Sequence, residues 1–408
     1  MPNISKRGAH TYASPIRKLS NFADKAKAAG THVFHLNIGQ PDVATPALAL
    51  DAIKNTDMTV VAYSPAEGIR SYREALVDYY RQFEIELNAD QILITTGASE
   101  AILFGMLSCM DAGDEMIIPE PFYAIYNGFS QMSNLTIVPI TSHLETGFKL
   151  PEVAEFEAVI TSKTKAIFIC NPNNPTGCLY PPEVLKDLAK LAKKHDLFLF
   201  VDEVYREFCY DDGAFFSALN IPDMEQNVVV VDSISKRFSA CGARIGALVT
   251  RNQEVLDTVV RFSRLRLSPP TLGQILAEAT LSEPPVYLER AKAEYDLRRR
   301  VVFRRLSQME GVDCYLPGGA FYCFARLPVE NTDHFCQWLL EDFSYQNKTL
   351  MLAPGAGFYA TPGLGEDEVR IAYVLNTEDL EEAMDCLEAA LKIYPFKKKL
   401  ATPLVAVC

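Results

Sequence analysis

Cysteine pairs are missing from this chain: its ten cysteines are scattered over 408 residues, with no CxxC among them. That excludes a disulfide-stapled fold and a thiolate zinc knuckle. It leaves single thiols as small core residues in a reducing compartment, with the cytoplasm as the expected location. Positive charge is also in short supply. Lysine and arginine number 39 against 52 aspartates and glutamates, for a formal charge of −13, so attraction to nucleic-acid phosphates or an anionic membrane is opposed. No long apolar run exists either. The longest nearly apolar stretch, 101–110, is far too short to cross a bilayer, and the N-terminus lacks the apolar segment of an export signal. Glycine (21) and proline (24) fall well below fibrous or low-complexity levels, and no internal repeat is visible.

Two motif-like stretches are discounted. Residues 354–360 (PGAGFYA) contain a GxGxxA, yet Pro362 and Gly363 follow where a helix should begin. No glycine fingerprint follows the first strand, so a nicotinamide-dependent oxidoreductase fails. His32 and His35 lie three apart on an extended segment, where they point to opposite faces and chelate poorly, and no metal is assigned.

What the chain does have is a rhythm. From about residue 90, short apolar runs rich in β-branched residues alternate with helical-period segments, the mark of βαβ units and a parallel sheet. The runs are 91–96, 114–120, 135–140, 165–170, 197–202, 227–233 and 245–250, which predicts an α/β fold with a seven-stranded, mostly parallel sheet between helices. Residues 181–196 place Leu185, Leu188 and Leu191 at helical spacing with lysines opposite, an amphipathic crossover helix. A long charged helix is expected over 284–310. Strands at 319–327 and 368–373 and helices at 335–345 and 378–393 then suggest a smaller α+β domain. The expected division is a large domain over 45–290 and a small one built from 1–44 and 291–408. The tail from 397 reads as an arm packed on the body.

In an open parallel sheet, ligands sit beyond the carboxyl ends of the strands. NPNNPTG (171–177) follows the fourth run, Asp202 and Tyr205 end the fifth, and SISKRFSACGARIG (233–246) follows the sixth. An amide, a carboxylate, a phenol and a lysine therefore project from one edge. Lys236 lies three residues after Ser233 and eight before Arg244, with Gly242 allowing close backbone approach; this reads as an amine beside an anion site, or as a solvated charge. Asp202 ends an apolar run, where an unpaired carboxylate is expensive, so it faces a cation or a protonated heterocycle unless it caps a helix or closes a salt bridge. Pyridoxal phosphate needs these groups together: an amine, an anion for its ring nitrogen, donors to its 3-oxygen and a phosphate cup. Gly97, Ala98 and Ser99 can form the cup at a helix start, completed by Ser233 and Arg244.

HLNIGQPD (35–42), YSPAEGIRSYREAL (63–76), TTGASEAI (95–102), NPNNPTG, VDEVY (201–205), SISKRF with Gly242 and Arg244, PGGAFY (317–322) and VRIAY (369–373) together carry a resemblance. The sequence resembles the class I/II aminotransferases, the aspartate aminotransferase-like group of fold-type I pyridoxal phosphate enzymes, over nearly its whole length. The resemblance implies that Lys236 forms the Schiff base with the cofactor and moves the proton between substrate and cofactor carbons. Asp202 would hold the ring nitrogen, Tyr205 and Asn174 the 3-oxygen, and Tyr123 the ring face. Arg370 would grip the substrate α-carboxylate as a two-pronged fork, assisted by Gly39, with Tyr123 and Asn174 also touching substrate. Tyr63 matches a residue that reaches the partner subunit's phosphate, which implies a homodimer with shared active sites.

An aminotransferase moving an amino group from an L-amino acid, aspartate-like before aromatic, to a 2-oxo acid such as 2-oxoglutarate is the expected function. A lyase or decarboxylase on the same fold is the alternative, and a ligand-sensing regulator lacks the added basic segment it needs. A distal carboxylate requires a second cation, for which Arg17, Arg264 and Arg266 are the candidates. An apolar side chain would instead want Ile16, Phe321 and Tyr322. An N-terminal segment closing over the substrate is left open.

Overall fold

The computed structural model of the protein describes residues 2–9, 14–211 and 213–398. These residues form thirteen strands, the first three being β1 (His32–His35), β2 (Ile92–Thr95) and β3 (Glu115–Glu120). Next come β4 (Thr136–Thr141), β5 (Thr164–Cys170), β6 (Phe198–Asp202), β7 (Val228–Ser233) and β8 (Gly246–Thr250). The last are β9 (Asp313–Cys314), β10 (Tyr322–Arg326), β11 (Lys348–Met351), β12 (Ala353–Pro354) and β13 (Glu368–Ala372). The arm expected from 397 lies, from residue 399 on, outside the described residues.

Strands β2 to β8 are the seven apolar runs, and they form one sheet in the order β2-β8-β7-β6-β5-β3-β4. The pairings from β7 through β4 are parallel, while β8 runs antiparallel to both β7 and β2. The segment 234–245 stays at one end of the sheet instead of crossing back, so β8 must return in the opposite direction. Both faces are covered, which is why β7 reads as a continuous apolar run and is buried throughout. One face packs Ile167, Leu199, Val201 and Val230 against Leu185, Leu188 and Leu191 of the helix Pro182–Lys194. The other packs Phe168, Phe200 and Val231 against Ile102 and Met106 of the helix Ala98–Cys109. Each fully buried leucine of this kind contributes roughly 1.5–3 kcal/mol.

A second, antiparallel sheet has the order β12-β13-β10-β9, and β1 pairs in parallel with β11. The 22-residue helix Val286–Ser307 and the helix Thr377–Ile393 pack against it around Leu306, Phe335, Leu339, Ile371 and Leu387. Across their outer sides Arg305 pairs with Glu381 and Asp385. The helix expected at 335–345 lies instead at Thr332–Glu341. Asn331 starts it early by accepting the His334 N–H, and Gln346 and Asn347, both left-handed, turn the chain into β11, which no pattern in the sequence announced. Among the described residues, no helix is long and apolar enough to cross a membrane.

The consequence for function is one of register. Cys170 stands opposite Asp202, and Asp202 opposite Val231, so β5, β6 and β7 end side by side and release Asn171, Glu203 and Ile234 into adjacent loops.

Candidate active site

Those loops, with β13 and the segment after β1, enclose a cleft of about 460 Å³. Lys236 stands on the single turn Ile234–Arg237, which Ser233 caps by accepting the Ser235 N–H. Its half-buried Nζ donates to the Gly39 carbonyl oxygen at 2.8 Å and lies 3.9 Å from Cys241 Sγ.

Asp202 closes β6 and is 4% exposed. Its Oδ2 accepts from the Tyr126 hydroxyl at 2.8 Å and its Oδ1 from the Val204 N–H at 3.2 Å; no cation lies within ion-pair reach among the described residues. Burial pushes its pKa up to about 6, against the pull of those two hydrogen bonds. A carboxylate in this state has most to gain from a cationic donor.

Arg370, on β13 and 1% exposed, is the complementary case. Its Nη1 donates to Asn174 Oδ1 at 2.9 Å and its Nη2 to the Asn37 carbonyl at 2.5 Å, while Nε has no partner. Tyr322 and Phe358 place their rings 4.5 and 5.0 Å from the guanidinium carbon. No carboxylate pairs with it among the described residues. A buried guanidinium without an anion is costly, and its planar donors match a carboxylate from outside.

The Tyr205 and Tyr322 hydroxyls lie 2.8 Å apart, and burial followed by this neighbour holds the Tyr205 phenol well above its ordinary range. Tyr123 meets Tyr126 edge-on at 5.5 Å and lines the cleft. At Gly39 an added Cβ would come within 1.8 Å of the Tyr322 hydroxyl, so that wall needs glycine.

A cluster of hydrogen-bond donors lies at the start of the helix Ala98–Cys109. Gly97 caps it at φ +75°, and a Cβ there would meet Arg244 Nη2 at 2.3 Å. Arg244 takes the left-handed conformation and donates to the Cys241 carbonyl at 3.0 Å. Ala98, Ser99 and Ser233 line the same corner. Free N–H groups at a helix start beside a guanidinium are what a phosphate dianion binds.

The cleft thus gathers Lys236, Asp202, Tyr205, Tyr123, Asn174, Ser99, Ala98, Ser233, Arg244, Gly39 and Arg370, with Gly97 directly behind Arg244. Tyr63 lies elsewhere, 77% exposed. Phe321 is a correction: it sits in the turn that left-handed Ala320 opens just before β10 and packs into the core, stacked on Tyr295, while Tyr322 at the start of β10 lines the cleft. Of the candidate cations, Arg266 is tied to Glu100 and Arg264 to Glu67, whereas Arg17 lines the cleft with Ile16. Sequence reasoning missed Tyr126, Asn37 and Phe358. Tyr126 was findable, since it stands one helical turn beyond Tyr123 in FYAIY.

A mostly parallel α/β sheet whose strand ends bring to one cleft an amine, and a carboxylate and a guanidinium without ion-pair partners among the described residues, has the architecture of an α/β enzyme with its site at the strand ends. The chain matches the family described as aminotransferase class I and II over residues 31–387. It is 32% identical to an aspartate aminotransferase of Pyrococcus horikoshii over 395 residues, covering 95% of this chain and 97% of that protein. It is also 32% identical to aromatic-amino-acid aminotransferase 2 of Thermococcus litoralis, covering 95% and 98%. The solved structure of an alanine aminotransferase from Pyrococcus furiosus superposes with a TM-score of 0.87 at 29% identity, covering 96% of this chain and 100% of that one. The chain belongs to the class I and II aminotransferases, and it is a transaminase.

Proposed function

We propose that the protein is a pyridoxal 5'-phosphate-dependent aminotransferase that passes an amino group from an L-amino acid to a 2-oxo acid such as 2-oxoglutarate by a ping-pong route. One observation carries the reading: a buried carboxylate without a cation, Asp202, shares a cleft with the Lys236 amine and with an anion seat at Gly97, Ala98, Ser99, Ser233 and Arg244. These residues fit the cofactor, because its protonated ring nitrogen is the cation Asp202 lacks and its phosphate the anion the seat is built for. When bound, the cofactor supplies an aldehyde carbon and a ring that takes up electron density. Lys236 is the residue that would hold the cofactor's aldehyde carbon through its amine, and the same amine would be the base that moves the proton at the substrate Cα. Asp202 would accept the hydrogen bond of the protonated ring nitrogen, Tyr205 and Asn174 would hydrogen-bond the ring oxygen, and Tyr123 would lie against the ring. Arg370 orients the substrate through its α-carboxylate, beside Gly39 and Asn174.

A dicarboxylic, aspartate-like donor fits best. Arg17 is exposed on the cleft wall with no carboxylate partner among the described residues, a second cation for a distal carboxylate. Relatives carry the names of aspartate, aromatic and alanine enzymes, so the assignment rests on Arg17 rather than on them. Lyase or decarboxylase chemistry is not favoured by a family of aminotransferases.

The reading includes a cytoplasmic homodimer, residues 45–290 forming the larger domain and 1–44 with 291–408 the smaller. Val60, Val61, Tyr63 and the 82% exposed Leu265 are strongly exposed, and the Thr271 hydroxyl donates to the Ala62 carbonyl, drawing 60–64 and 265–271 into one apolar patch. Such patches mark interfaces. The described cysteines are all free thiols, as a reducing compartment keeps them.

The test is an amino-donor panel on protein incubated with pyridoxal phosphate. A yellow protein that bleaches fastest with aspartate or glutamate and regains colour with 2-oxoglutarate is expected. Lys236→Ala should abolish both the colour and turnover; near-normal transamination by that variant would refute the assignment.

A further inference from the structure

Behind the cleft lies a cluster that the reaction itself does not use. Asp232 Oδ2 pairs with Arg237 Nη2 at 2.5 Å, accepts from the Tyr80 hydroxyl at 2.7 Å and stands 3.6 Å from Arg206 Nη2. Arg206 also reaches Glu203 Oε2, and Arg237 reaches Glu207 Oε1, each at 3.1 Å. All five side chains are at least 95% buried.

Stability does not account for it. Burying several ions is a poor way to stabilise a core, since apolar residues of the same volume often do as well or better. The packing also leaves Arg206 Nε and Nη1, Arg237 Nε and Glu207 Oε2 without hydrogen-bond partners. What distinguishes the cluster is its place in the chain. Glu203 follows Asp202, Arg206 follows Tyr205, Asp232 precedes Ser233 and Arg237 follows Lys236. Asp202 and Ser233 end extended strands, where neighbours point to opposite sides, whereas Tyr205–Arg206 lies in a turn and Lys236–Arg237 on the helical turn; in all four pairs one residue lines the cleft and its neighbour is a buried charge. Asp232 Oδ1 even accepts the N–H of Ser233 at 2.7 Å.

We infer that Asp232, Arg237, Arg206 and Glu203 are the positioning residues of this site: they clamp the Asp202 and Lys236 segments from behind and set the field in which both groups work. The inference rests on the reading of Lys236 and Asp202 given above. Asp232 already acts on Asp202 as one of the influences that raise its proton affinity. Burial tends to raise Asp232 itself, but Arg206 and Arg237 outweigh it and hold its pKa at about 2, so its charge is permanent near neutral pH. The other ionisable groups that face this region are Tyr72, Tyr79 and Tyr80 from the helix Arg70–Arg81 and Glu278 from the helix Thr271–Thr280. On the cleft side they are Tyr123, Tyr126, Tyr205, Cys170, Cys241, Arg244, Tyr322, Arg370 and Arg17. The variants below leave all of these in place.

The test is a spectrophotometric pH titration of the protein loaded with pyridoxal phosphate, reading the midpoint at which the coloured lysine adduct loses its proton. Asp232→Asn removes a negative charge behind the cationic adduct, so the midpoint should fall by on the order of one pH unit. Arg237→Met removes a positive charge, so the midpoint should rise by a similar amount, and Arg237→Lys should restore it. Should Arg237→Met fail to fold, the near-isosteric Asp232→Asn decides alone. Midpoints that stay at the wild-type value, or move in the same direction in both variants while melting temperature falls, would reduce the cluster to packing. A wild-type protein that never colours would instead overturn the cofactor reading.

Discussion

Asp202 is the residue where burial and function pull against each other. Its pKa of about 6 in the folded chain lies above the ordinary 3.8, so between those values the folded apoprotein binds more protons than the unfolded chain. Stability therefore falls as pH rises through that window, by about 3 kcal/mol once the carboxylate is fully ionised. Asp202→Asn removes this cost and loses one hydrogen bond of about 1 kcal/mol. The variant apoprotein should be about 2 kcal/mol more stable than wild type at pH 8 by urea unfolding, with a flatter dependence between pH 4 and 7. A destabilised variant at pH 8 would contradict the account, and cofactor affinity should drop in the same protein. Arg370 makes the converse prediction. Arg370→Lys keeps the charge but not the fork held by Asn174 and Asn37, and kcat/KM for amino acids should fall about 100-fold with cofactor binding unchanged.

At the scale of elements, the turn from β2 into the helix Ala98–Cys109 is the most constrained part of the site. Gly97 at φ +75°, ψ 170° occupies backbone space that only glycine enters readily, and a methyl group there would displace the Arg244 guanidinium. Gly97→Ala should cost about 1–3 kcal/mol of stability and weaken pyridoxal phosphate binding at least about tenfold, which is 1.4 kcal/mol, measured by absorbance titration. Equal affinity in the two proteins would remove the helix start from the phosphate seat. The elements themselves were largely readable. Seven apolar runs became seven strands because both faces of the sheet are covered over its inner strands, which makes those strands nearly continuous apolar words; the edge strand β4 is half-exposed. β11 was not readable, since Lys348–Met351 has no alternation of its own and is a strand only because β1 lies beside it.

For the whole molecule, the exposed patch around Val60, Val61, Tyr63 and Leu265 carries the prediction. On the homodimer reading proposed above, Leu265→Asp should give a monomer in sedimentation where wild type gives a dimer, and reduce activity, while circular dichroism stays unchanged. Tyr63→Phe should leave the dimer intact and weaken cofactor binding severalfold. A wild-type monomer that is fully active would refute the shared-site reading.

The order of residues alone determined the sheet, the edge that carries the site and most of its members. Strand ends can be read from where apolar runs stop, and Asn174, Asp202, Ser233 and Lys236 stand just at or past those stops. Only the tertiary structure decided which charges face one another. Asp202 and Glu203 are neighbours in the chain, yet one opens on the cleft and the other on a buried ion cluster, and Arg370 meets Asn174 across 196 positions. A one-dimensional pattern records which residues alternate; it carries no information on what fills the space opposite each side chain, and that space sets the proton affinity of Asp202, the open fork of Arg370 and the freedom of Arg17.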